Sequence, residues 1–138
     1  LRDQAEDDLG RVDVSEPVPD WLTVFDVAAL HGHRGSCLLD LGRSADAVEE
    51  LVTQEDIAPL CFARNRTLWL LDRARAHLDL HDLRATCQLL DQALSVPRVT
   101  SSPRVTARLM TCASALSPHQ GDPHVASLLE RHHLVRVA

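Results

Sequence analysis

Lysine and tyrosine are missing from this chain of 138 residues, and isoleucine (Ile57) and asparagine (Asn65) occur once each. Aromatic residues make up only 3%. With Ile, Tyr and Phe so scarce, the sheet-favouring residues reduce to Val and Thr, and an all-α chain follows. Long apolar runs are also missing: none approaches the ~20 residues that span a bilayer, so no membrane partner is expected. A basic surplus is missing too. The net charge is −6, whereas a nucleic-acid-binding domain carries a basic face. Direct DNA contact by these residues is not expected. There is no CxxC and no signal-peptide pattern. The four cysteines (Cys37, Cys61, Cys87 and Cys112) are each set in a helical pattern. They are expected as buried free thiols in a reducing cytoplasm.

Catalytic patterns are lacking as well. No GxSxG, HExxH or phosphate-cradling glycine loop occurs. His77 and His81 stand at i, i+4, a spacing that can hold a metal on one helix face. No third ligand accompanies them, so packing or capping is expected. The pairs His31/His33 and His132/His133 are weaker still. Glu49/Glu50 and Glu55/Asp56 are expected on solvated faces rather than across a cleft. No enzyme, no metal and no cofactor are expected.

What is present is helix. Leu and Ala dominate a hydrophobic share of 45% and favour helix. Residues 70–94 read as two helices folded back on each other. Leu70, Ala74, His77 and Leu78 fall on one stripe, and Leu83, Cys87, Leu90 and Leu94 on another. Asp82 is the expected N-cap of the second helix, and Pro97 its stop. Elsewhere, residues 1–12 read as the end of an upstream helix and 13–20 as a proline-bearing acidic linker, with the domain proper at 21–138. Within it, helices are expected over 21–41, 45–53, 60–80 and 83–95, then from Ser101 or Ser102 with Pro103, and from Pro123. Gly42 suits a helix C′ position and Ser44 an N-cap. Residues 54–59 are expected as a loop, and 132–138 as a polar tail that frays.

A shift of 39 residues aligns three copies of the hairpin. Gly35, Ala74 and Ala113 coincide, as do Leu51, Leu90 and Leu129. Small residues recur twelve apart, Gly35 with Ala47 and Ala74 with Thr86. This places one small residue on each helix where the two cross. Gly35 is therefore expected to serve close packing within an unbroken helix.

This pattern resembles the tetratricopeptide repeat, which has a small residue in each helix and a large apolar residue four beyond the second. Gly35, Ala47 and Leu51 stand at those places, then Ala74, Thr86 and Leu90. The family's early aromatic is replaced by His31, Leu70 and Leu109, and Val125 stands where a small residue is expected. The resemblance implies antiparallel hairpins stacked as a short right-handed array of about 2.5 repeats. The runs at 19–51 and 64–94 further resemble the C-terminal region of helix-turn-helix transcriptional regulators from high-GC Gram-positive bacteria. The arginine-only basic content agrees with a GC-rich source.

That likeness implies a cytoplasmic ligand- or peptide-sensing and protein-interaction module. It would bind a protein, a peptide or a small signalling molecule and form a homodimer. DNA would be reached only through a domain outside this chain. A stand-alone adaptor or a purely structural dimerisation domain is the alternative. Binding would fall on the first helices, which line the concave face of such arrays: Ser36, Leu71, Asp72, Arg75, Leu78, Met110 and Ser114, with Arg64 and Asn65 at a helix start. Arg64 and Arg75 could clamp a carboxylate or phosphate. The simpler expectation for Arg75 is an i, i+4 pair with Asp79.

Overall fold

A computed structural model describes residues 27–57, 63–96 and 102–133, with positions 4, 7, 8 and 11. The linker at 13–20, Trp21 and Phe25, Cys61, Pro97 and the tail beyond 133 lie outside the described residues. The fold is all-helical, with no strand among the described residues. In order come α1 (Val27–Asp40), α2 (Ser44–Ile57), α3 (Ala63–Asp79), α4 (Leu83–Leu94) and α5 (Pro103–Leu116). A 3₁₀ turn (Ser117–His119) then leads to α6 (Pro123–Arg131).

Two turns close the first two hairpins in the same way. After α1, Gly42 takes the left-handed conformation at φ 74°. The Arg43 N–H donates to the Leu38 carbonyl and the Gly42 N–H to the Leu39 carbonyl. After α3, His81 takes the same conformation at φ 61°, with Asp82 N–H on His77 and His81 N–H on Leu78. Both are Schellman caps, in which crossed hydrogen bonds satisfy the last carbonyls of the helix. Glycine fits this conformation without strain, and histidine does not. Asp82 caps α4 as expected, accepting from the Ala85 N–H at 3.0 Å. Asp122 does the same for α6. Ser44 does not cap α2. It is already helical, and its hydroxyl donates 2.9 Å to Asp79 on α3.

Each of these hairpins is antiparallel, and each crosses at its small residues. The helix runs unbroken through Gly32 and Gly35. A Cβ at Gly35 would stand 2.5 Å from Leu51 Cγ and 3.3 Å from the Ala47 carbonyl oxygen. Ala74 and Thr86 meet likewise, both almost wholly buried, and the Thr86 hydroxyl donates 3.3 Å to the Ala74 carbonyl. The last two helices are arranged differently. α5 packs on α3 and α6 on α4, while α5 and α6 touch each other little. Val125, fully buried, stands where Ala47 and Thr86 stand.

The second hairpin and the last two helices share one core. It includes Leu71, Leu90, Val105, Leu116, Val125 and Leu128. The first hairpin joins through two smaller clusters, Ala29–Leu51–Trp69 and Leu39–Ala47–Ala76. Helix α2 is longer than expected. Gln54, Glu55 and Asp56 belong to it, not to a loop, and Gln54 is buried.

Candidate functional site

The first helices α1, α3 and α5 lie side by side and parallel. Ser36 on α1 donates its hydroxyl 2.6 Å to Asp72 Oδ2 on α3. Arg108 on α5 pairs with the other oxygen, Oδ1. These partners sit at 36, 72 and 108, a constant step. His33 and Trp69 keep that step, with ring centroids 6.1 Å apart edge to face. A shift of 39 carries His33–Trp69 onto Asp72–Arg108, so α1 meets α3 in the register in which α3 meets α5.

Among the residues proposed to bind, the structure brings Ser36 and Asp72 into direct contact. Asp72 is 5% exposed and serves as a tie between three helices, since both its oxygens are engaged. Burying a carboxylate is tolerable only when it is paired and hydrogen-bonded in this way. Leu71 lies in the core at 1% exposure, and Leu78 is half-buried against the same core. Arg64, Arg75, Met110 and Ser114 are exposed, and Asn65 is intermediate. Arg75 lies 3.7 Å from Asp40 of α1, a pair between helices, while Asp79 accepts from Ser44.

Arg108 was not singled out by the sequence, because its partner is 36 residues away and no local period announces it. Two other ties were missed for the same reason. Glu50 is buried, with His31 Nδ1 2.6 Å from one oxygen and Arg34 Nη2 2.6 Å from the other. It does not sit on a solvated face. Glu55 on α2 accepts from Arg73 Nη1 of α3 at 2.6 Å, with Arg66 Nη2 at 4.0 Å. The Nε atoms of both arginines are buried and have no hydrogen-bond partner among the described residues. They flank a cavity of about 10 Å³, floored by Leu51 and Trp69.

The titratable groups are tuned for structure. Burial pushes the Cys112 thiol up to about 11, reinforced by the nearby Asp72 charge. Burial likewise raises Cys87. A thiol held protonated is a poor nucleophile. Cys37 is exposed, contrary to the expectation of burial. Burial lowers the pKa of His77, against the opposing pull of Asp82, whose Oδ2 lies 3.5 Å from its Nδ1. His132 hydrogen-bonds Asp91 at 2.6 Å and holds that carboxyl below its usual range. His132 therefore anchors α6 to α4 and is not part of a fraying tail. Among the described residues, no group of three or more His, Cys, Asp or Glu is placed to hold a metal, and no helix is long and apolar enough to cross a membrane.

Comparison with protein-family models, with curated proteins and with solved structures returns no match to this chain.

Proposed function

We propose that this chain is a ligand- or peptide-sensing and protein-interaction module without catalysis of its own. In this reading it is a TPR-like right-handed array within a cytoplasmic bacterial transcriptional regulator. DNA would be reached through another domain. The observation that supports it is the recurring register of the first helices. His33–Trp69 and Asp72–Arg108 are the same contact repeated after 39 residues. A repeated contact of that kind builds an extended surface instead of a closed catalytic cleft. The carboxylates along the seam are consumed by ties between helices. That leaves Arg64, Arg75, Met110 and Ser114 to meet a partner.

The test is thermal unfolding with and without dialysed cytoplasmic extract, then fractions of it, then short peptides and small lactones. A ligand at 100 times its Kd stabilises by about 2.7 kcal/mol, a rise in Tm on the order of 10 °C for a domain of this size. Arg75→Ala should remove the shift and change the unliganded Tm little, because its pair with Asp40 is largely exposed. If no fraction moves the Tm, the sensing role is wrong. A second reading is a structural dimerisation module, supported by the exposed, uncharged Ala107, Met110, Thr111, Ser114 and Ala115 of α5.

A further inference from the structure

We infer that the cavity between α2 and α3 is a hydration site for one ordered water, which accepts from Arg66 Nε and Arg73 Nε and donates to Glu55. That water fastens the first hairpin to the second. The site goes beyond the sensing reading and does not rest on it.

Three observations carry it. The first is a pair of stranded donors. Arg66, Trp69 and Arg73 stand at i, i+3 and i+7 and share one stripe of α3. Leu51, Gln54 and Glu55 face them from α2 across the cavity. The Arg66 side chain is 41% exposed and that of Arg73 23%. Yet the Nε atom of each is buried and has no hydrogen-bond partner among the described residues. The exposure therefore lies elsewhere on the two side chains, as when an arginine lays its inner part along a protein surface. A buried N–H without an acceptor is costly, and native proteins supply one from the chain or from ordered water. The nearby carboxylate supplies only half of what is needed. Glu55 Oε2 accepts from Arg73 Nη1 at 2.6 Å. Its Oε1 lies 4.0 Å from Arg66 Nη2, beyond hydrogen-bond reach.

The second observation is size. The cavity measures about 10 Å³, which is about one water-sized sphere. A buried water makes about three hydrogen bonds. The walls offer that number: two N–H donors and the Glu55 Oε1 acceptor. A halide ion is wider than water and would be repelled by the Glu55 carboxylate at this range.

The third comes from the repeat. A shift of 39 carries Gln54, Glu55, Arg66 and Arg73 onto Ala93, Leu94, Val105 and Cys112. Those four lie in or against the shared apolar core. The second junction is thus filled by apolar side chains where the first sets a carboxylate and two guanidinium groups around a small space. A water satisfies that polar set without disturbing the register, because it both accepts and donates.

A crystal structure of the full chain, at a resolution that shows ordered water, tests the site together with a second crystal soaked in sodium bromide. The expected result is a peak about 2.7–3.2 Å from both Nε atoms, with no anomalous bromide signal. Absence of the peak, protein acceptors on both Nε atoms, or bromide in the cavity would each overturn the assignment, the last by making it an anion site. In solution, Arg66→Lys keeps the charge beside Glu55 and removes the Nε donor. Amide exchange across 51–57 should become about two- to tenfold faster, with α4 unchanged. Exchange equal to wild type across 51–57, or an equal acceleration in α4, would contradict a water that fastens this junction.

Discussion

The junction between the first and second hairpins and the junction between the second hairpin and α5–α6 share a register and differ in chemistry. Across the first run polar ties: Ser36 to Asp72, Ser44 to Asp79, Arg73 to Glu55 and Arg75 to Asp40. Among the described residues its apolar share is two clusters of three buried residues each. Across the second runs, among the described residues, a single core of 15 buried residues, with the buried Asp72–Arg108 pair and the ties of Arg131 and His132 to Asp91 at its edges. The lesson is that register and adhesion are separable. Hydrophobic adhesion scales with the area removed from water, at about 25 cal/mol per Å². Polar ties mainly specify position, because each gains little over the water it displaces. On this contrast among the described residues, the first hairpin is expected to be placed as accurately as the rest and held less tightly.

That contrast can be broken by mutation. The largest effect is expected in the shared core. Leu90→Ala should destabilise the whole array by roughly 2–5 kcal/mol in urea unfolding. Leu51→Ala, its equivalent and equally buried, should chiefly loosen α1–α2, so far-UV and Trp69 fluorescence transitions would separate. Coincident transitions in Leu51→Ala would mean the first hairpin is not a separate unit. Next, Ala74→Leu should cost roughly 1–3 kcal/mol by overpacking a tight crossing. Ala113→Leu, at the open crossing, should change stability by less than about 0.5 kcal/mol.

Acid should act in one direction at both ends. His77 has a lowered folded pKa, so it binds its proton more readily unfolded. Stability is therefore lost as pH falls below its ordinary 6.5. Asp91 is also lowered, and its contribution disappears as pH falls below its ordinary 3.8 and through the folded value. A Tm profile should show two steps, the upper one absent in His77→Gln and the lower one in Asp91→Asn. The smallest effect is a gain. His81→Gly removes a left-handed strain and should stabilise by about 0.5–1 kcal/mol. No gain would mean that the histidine ring contributes where the backbone suggests strain.

Much of the helical plan was legible because it is local. The Asp82 cap, the Gly42 terminus and the Pro103 and Pro123 starts each act within one turn of chain. The tight crossings were legible because they repeat, Gly35–Ala47 and Ala74–Thr86. What escaped lies in partners distant in sequence. Gln54, Glu55 and Asp56 look like loop residues until Arg73 and Trp69 are set beside them. His81 carries no sign of a left-handed turn except its alignment with Gly42. Asp72 was singled out for a partner outside the chain, but its partners are Ser36 and Arg108. A buried ion pair spanning 36 residues shows no local period, and its longer step is recognised only once the helices are side by side.

Native-state hydrogen exchange, read by mass spectrometry over 27–57 and 63–131 separately, tests most directly whether the two junctions differ in adhesion. The account predicts that amides of α1 and α2 exchange through a sub-global opening, at least about tenfold faster than those of α3–α6. Uniform protection across both segments would contradict it.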